Sequence, residues 1–125
     1  MPNTLNCPCG GGNPLAKCCG PIHDGTEPAA TAEALMRSRY AAFVVGNADY
    51  LLQSWAPESR PSRLTLDPGQ RWTGLEILAT ADGRELSAVG EVEFIAHYEI
   101  DGVPGSMRER SRFRREAGRW VYVDG

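Results

Sequence analysis

Residues 91–113 read EVEFIAHYEI-DG-VPGSMRERSRF, and this stretch decides the fold. From Glu91 to Ile100 the side chains alternate: Val92, Phe94, Ala96, Tyr98 and Ile100 point one way, and Glu91, Glu93, His97 and Glu99 point the other. Ile95 is the sole apolar exception on the outer face. A period of two with one apolar face predicts a half-buried strand. Asp101-Gly102 suits a two-residue hairpin turn, which sets the register of everything that follows. It puts Ile100 opposite Val103, Ala96 opposite Met107, Phe94 opposite Glu109 and Val92 opposite Ser111. The same register lays Arg110 opposite Glu93 and Arg112 opposite Glu91, so the charge pattern supports the pairing independently. Pro104-Gly105 could insert a bulge.

Downstream, Glu116-Ala117-Gly118 turns the chain again and Arg119-Trp-Val-Tyr-Val forms a last strand closing at Asp124-Gly125. Upstream, Leu75, Ile77 and Ala79 alternate loosely before Asp82-Gly83, which predicts one more strand. Pro57, Pro61, Pro68 and Gly69 mark residues 57–71 as an extended connection. Before them the period changes to that of a helix. From Ala32 to Val45, Leu35, Met36, Tyr40, Phe43 and Val44 recur at spacings of three to four, with Arg37, Ser38 and Ala41 between. Thr31 is the expected N-cap, Glu33 sits in the first turn, and Gly46-Asn47 stops the helix. Asn47 can cap a second helix, Ala48 to Trp55, ended by Pro57. Helices first and an antiparallel sheet after give an α+β domain.

The chain has 125 residues, enough for one domain with a core of its own. A net charge of -3 argues against a protein built to coat nucleic acid. Met-Pro-Asn-Thr-Leu-Asn has neither the basic nor the apolar part of a secretory signal, and no apolar run approaches the ~20 residues of a membrane span. A cytoplasmic protein without a membrane partner is expected.

All 4 cysteines lie in one short segment: Cys7, Cys9, Cys18 and Cys19. The segment is rich in Gly and Pro and has no amphipathic period, so it cannot build an apolar core. In a reducing compartment such a cluster points to a metal rather than to disulfides. A vicinal bridge between Cys18 and Cys19 would also be strained. Four thiolates at tetrahedral corners suit Zn2+, and a filled four-sulfur shell leaves no position for substrate or water, so the site is expected to be structural. Gly10, Gly11 and Gly12 can turn N–H groups toward the sulfurs, and Lys17 is a candidate to offset their charge.

The stretch Cys7-Pro-Cys-Gly to Lys17-Cys-Cys-Gly resembles the SEC-C motif, the zinc knob at the C-terminus of the SecA translocation motor. The text that follows resembles the YchJ family: Pro21-Ile-His-Asp-Gly, Thr31-Ala-Glu-Ala-Leu-Met-Arg-Ser-Arg-Tyr, Asp49-Tyr-Leu-Leu, Trp55, Ser59-Arg-Pro, Ser111-Arg-Phe and Trp120-Val-Tyr-Val-Asp-Gly. The resemblance spans nearly the whole chain. It implies a zinc knob over residues 1–25 and, over 28–125, a fold similar to nuclear transport factor 2, with a curved sheet wrapped over helices around a cone-shaped cavity. The family's function is unassigned. Three departures are visible. Ala56 stands where the family often has His, Arg108 stands where it has His before Glu, and Gly11-Gly12-Asn13 replaces Ser-Gly-Lys.

Parity puts Glu109 on the apolar face beside Met107 and Phe113. A carboxylate buried there without a partner would be expensive. The bland account is an ion pair with Arg37 or Arg39 from the helix, and this is the reading the sequence favours. The functional account makes Glu109 a base or ligand anchor in the cavity, helped by Tyr40, Trp55 or Ser111. Trp120 and Tyr122 read as core or cavity wall. Arg108, Arg110, Arg112, Arg114, Arg115 and Arg119 form a basic face, but no aromatic residues interleave with them, so nucleic acid is not the expected partner. His23 is expected to hydrogen-bond in the linker rather than join the metal, and His97 to be solvated. Two functions remain. The first is a zinc-containing adaptor that docks a protein partner through the knob. The second is a small-molecule binder or enzyme using the cavity around Glu109.

Overall fold

In the computed structural model, which describes residues 6–125, a 3-10 turn at Leu15–Lys17 and the short helix α1 (Cys19–His23) form the knob. Residues 1–5, which open the expected knob, lie outside the described residues. Next come α2 (Ala32–Val45) and α3 (Ala48–Gln53), followed by β1 (Gln70–Asp82), β2 (Val89–Ile100), β3 (Val103–Glu116) and β4 (Arg119–Asp124). The caps are those the sequence predicts. Thr31 Oγ1 accepts from Ala34 N at 3.0 Å, Asn47 Oδ1 accepts from Tyr50 N at 3.0 Å, and Gly46 closes α2 at φ 79°. The second helix stops at Gln53, two residues before the expected end. Trp55 leaves the helix because its backbone bridges to Tyr122 of β4, with Ala56 N donating to Tyr122 O at 2.8 Å.

The four strands form one antiparallel meander in the order β1-β2-β3-β4. Between β2 and β3 the register is the one set by the Asp101-Gly102 turn, from Ile100↔Val103 to Glu91↔Arg112. Both turn residues have positive φ, 51° and 84°, as a tight hairpin needs. The register runs through Pro104-Gly105 without a bulge. Gly105 lies under the Tyr98 ring, where a Cβ would come within 2.8 Å of it. The bulges are in β1 instead, at Trp72/Gly74 and Ile77/Ala79. They break the parity of that strand, which is why its alternation is loose in the sequence and why its start at Gln70, inside the expected connection, is hidden.

The core lies between α2 and the sheet, where Leu35, Met36 and Tyr40 meet Val92, Phe94, Ala96, Phe113 and Trp120. The expected single stripe on α2 is too narrow. Ser38, Arg39, Ala41 and Ala42 are buried as well, while Val44 is exposed. The reason is a second cover: the knob sits on Ala41, and α3 sits on Ala42. Outside the sheet, the arginines reach acids both straight across and diagonally: Arg110 Nη1 lies 3.4 Å from Glu93, its expected register partner. Arg110 Nε binds Glu91 at 2.5 Å, Arg108 binds Glu93 at 2.6 Å, and Arg112 turns to Asp124 at 2.5 Å instead of Glu91. Arg114 pairs with Glu58 and Glu116. Arg115 donates to Ser87 O at 2.8 Å and lies over the Trp120 ring. No described helix is long and apolar enough to cross a membrane.

Candidate functional site

The knob folds around sulfur. Cys7, Cys9 and Cys19 are buried, Cys18 is half-buried, and no two are joined in a disulfide. Their four Sγ atoms lie within 4.8 Å of one another. Cys9 and Cys18 are 3.6 Å apart, and Cys18 and Cys19 are 4.0 Å apart. Tetrahedral thiolates with metal–sulfur bonds of about 2.3 Å would sit roughly 3.8 Å from each other. The four sulfurs could therefore hold a metal ion with little rearrangement. Cys9 is pulled down to about 5, first by the Cys19 thiol and also by the Gly11 N–H, which is the backbone donor expected of the glycine run. Cys18 is pushed up to about 11, chiefly by desolvation, and Cys19 is raised, chiefly because its thiol bonds Cys9.

From α2 a further cation, Arg37, reaches the knob, while Lys17 of the knob itself is exposed. Arg37 Nη1 donates to Cys9 O at 2.6 Å while its Nε holds Glu33 at 2.9 Å. His23 stands outside the sulfur cluster, as expected. Its Nε2 meets Ser38 O at 2.7 Å and its ring packs on Tyr50, whose hydroxyl meets Ser38 Oγ at 2.6 Å. The knob is thus bound to α2 by Arg37, Ser38 and Ala41.

The opposite face of α2 lines a cavity of about 140 Å3. Its walls include Met36, Tyr40, Phe43, Trp72, Phe94 and Ala96. Its polar end is formed by Arg39, Trp55, Glu109, Ser111 and Tyr122. The structure therefore gathers all four cavity residues expected from the sequence, Tyr40, Trp55, Glu109 and Ser111, around one space. His97 lies elsewhere, on the outer face, 2.5 Å from Glu76.

The expected ion pair of Glu109 with Arg37 or Arg39 is not formed. Arg37 is committed to the knob. Arg39 Nη1 donates to Leu51 O at 2.8 Å and to Ser54 Oγ at 2.6 Å, and its guanidinium lies against the rings of Trp55 and Tyr122, at 5.0 and 4.6 Å. Burial pulls Arg39 down to about 10, an effect only partly offset by Tyr122, Tyr50 and Glu109. Glu109 is held by hydroxyls. Ser111 Oγ donates to Oε2, and Tyr122 OH reaches the same oxygen at 3.4 Å. Burial first, and then the Glu109 charge, push Tyr122 up to about 12. Gly125 packs against this carboxylate so closely that a Cβ there would collide with it. Since both hydroxyls can donate to an amide oxygen equally well, Glu109→Gln is expected to change stability by under about 1 kcal/mol. Thermal melts at pH 7 check this. A loss of about 3 kcal/mol or more would mean that Glu109 and Arg39 act as a buried pair after all.

One group in the cavity wall has no partner. Trp55 Nε1 is buried and makes no hydrogen bond among the described residues. Sequence reasoning placed Trp55 in the wall but missed this donor, because the cause is tertiary: the bridge to Tyr122 fixes the ring edge-on to Tyr122 at 5.3 Å. Trp72 was hidden with the start of β1. Arg39 had a signal, since it lies three residues after Met36 and one before Tyr40, on the buried side of the helix.

Three comparisons bear on this architecture. A UPF0225 protein of Streptomyces coelicolor is 60% identical over 122 residues, which cover 98% of this chain and 95% of the relative. The solution structure of a SEC-C motif containing protein from Rhodopseudomonas palustris superposes with a TM-score of 0.84 at 36% identity, covering 97% of each chain. The crystal structure of a SEC-C motif containing protein from Psychrobacter arcticus gives a TM-score of 0.74 at 29% identity, over 94% of this chain and 80% of that one. Residues 31–125, the whole of the helix-and-sheet unit with its cavity, match the description "YchJ, middle NTF2-like domain", and the chain belongs to the YchJ (UPF0225) family.

Proposed function

We propose that this protein binds a small molecule in the cavity between α2 and the sheet, and that the cysteine knob holds one structural zinc ion beside it. The observation that carries the ligand reading is the Trp55 indole N–H, buried in the wall without an acceptor. A buried donor left unmet costs about 1–3 kcal/mol, and folds seldom keep one without a use. It is joined by a cation that burial disfavours and by a carboxylate with no ion-pair partner, both facing an otherwise apolar, aromatic space. This is the usual make-up of a ligand pocket. For the knob, four thiolates at tetrahedral spacing support zinc, and a reducing cytoplasm supports thiols over disulfides.

The three tryptophans make a direct test. Trp55 and Trp72 line the cavity, whereas Trp120 is in the core with its Nε1 on Ala30 O at 3.3 Å. In a screen of a broad small-molecule fragment library against 15N-labelled protein, hits are expected to shift the Trp55 and Trp72 indole signals and leave Trp120 in place. A library that moves neither would overturn the reading.

The second reading is protein docking through the knob. It is favoured by the exposure of Gly10, Gly11, Gly12, Asn13, Ala16 and Lys17 on the knob.

A further inference from the structure

The polar groups that line the cavity describe what they would bind. Trp55 Nε1 offers one hydrogen and has no acceptor. Arg39 lines the cavity and spends only Nη1 on protein acceptors, so its Nε and Nη2 hydrogens have no acceptor among the described residues. Against these donors stands Glu109. Ser111 and Tyr122 both address its Oε2, which leaves Oε1 without a donor among the described residues. The pocket thus carries donors at one point and an acceptor at another, with one positive and one negative side chain.

That arrangement sorts ligands by charge. An anion held by Arg39 and Trp55 would confront the Glu109 carboxylate, and a cation held by Glu109 would confront Arg39. With Arg39 buried and Glu109 half-buried, either like-charge contact is costly. A neutral group with an acceptor beside a donor satisfies both sides. Its carbonyl takes hydrogens from Trp55 and Arg39, and its N–H gives one to Glu109. Much of the remaining wall is aromatic, with Tyr40, Phe43, Trp72 and Phe94 around the space, which favours an aromatic ring.

We infer that the cavity takes a neutral, planar aromatic amide or lactam, bound by its carbonyl to Trp55 and Arg39 and by its N–H to Glu109. This rests on the cavity being a ligand site, and it adds the chemical class. Benzamide, benzoate and benzamidine are nearly isosteric and differ in the charge of the polar end, so they serve as probes of the full chain in its metal-loaded form. Benzamide is expected to shift the Trp55 and Trp72 indole signals saturably, and benzoate and benzamidine to bind at least about tenfold more weakly. Trp55→Phe removes only the indole N–H and its ring, and it is expected to weaken benzamide binding by about tenfold, with the unchanged Trp120 signal reporting an intact fold.

Tighter binding of benzoate or benzamidine would overturn the neutral class while the pocket reading stands. Equal benzamide affinity in Trp55→Phe would overturn the placement of the carbonyl. Binding by none of the three, in a protein whose cavity tryptophans respond to other fragments, would overturn the inference alone. Silence toward every fragment would remove both.

Discussion

Purified under reducing conditions, the protein is expected to carry one zinc per chain, and stripping it should collapse the knob and lower the melting temperature of the rest by on the order of 10 °C. The first part follows from the donor set. Without metal, four thiols crowd into one buried space, and structural zinc contributes apparent binding energies of ~10 kcal/mol or more to small sulfur-ligated units. The second part follows from where the knob sits. It covers Ala41, which is 0% exposed, and holds α2 through Arg37 on Cys9 O and His23 on Ser38 O. Losing that cover removes about 2–4 kcal/mol from α2 without touching Val92, Phe94, Phe113 or Trp120. Metal analysis gives the stoichiometry. Circular dichroism and amide spectra with and without chelator give the rest, with the signals of residues 7–23 lost and those of the sheet retained. Concerted loss of the whole spectrum would show the knob and domain to be one cooperative unit. An unchanged midpoint would show that the knob adds nothing to α2.

Arg39→Ala is expected to cost about 3–4 kcal/mol, and Arg39→Met to restore most of that while abolishing ligand binding. Two effects compete. Truncation to Ala opens a hole between Trp55 and Tyr122 and removes the Nη1 donor from Leu51 O and Ser54 Oγ. The charge itself works the other way. A base whose folded pKa, here about 10, lies below its ordinary value costs the folded state stability at every pH below that value, and the cost fades only as the pH rises through it. The shift corresponds to roughly 3 kcal/mol. Methionine fills the space without the charge, and Ser54 Oγ still reaches Leu51 O at 3.3 Å. Denaturant melts of the two variants decide the matter. If Met is as damaging as Ala, the guanidinium is a structural group and the case for a retained functional cation fails.

How far the sequence could be read depended on whether local rules acted alone. The β2–β3 hairpin was legible residue by residue, because a two-residue turn, an alternating face and opposed charges all specify one register. The caps of α2 and α3 and the four cysteines were equally plain, since each signal lies within a few residues of its effect. Where tertiary contacts intervene, the text misleads. The bulges in β1 scramble its alternation, and the knob and α3 bury Ser38, Ala41 and Ala42, positions that looked like the gaps in a stripe. Glu109 was located correctly on the inner face. Ser111, one of its expected helpers, does bond it, but the arginine expected as its partner is anchored by the end of α3, and the Tyr122 hydroxyl reaches it from β4, a contact no local signal gives.

The meander has a bearing on the order in which the molecule is assembled. Each strand pairs with its neighbour in the chain, across the connection 83–88 and the turns 101–102 and 117–118, so the sheet can zip up through short loop closures. The bridge from Trp55 to Tyr122 is different, for it joins segments on opposite sides of the entire sheet in sequence. It cannot close until β4 is in place, and it is the contact that brings Trp55 to the cavity. The pocket is therefore among the last features to form, and a nascent chain would present a nearly complete sheet before it had anywhere to hold a ligand.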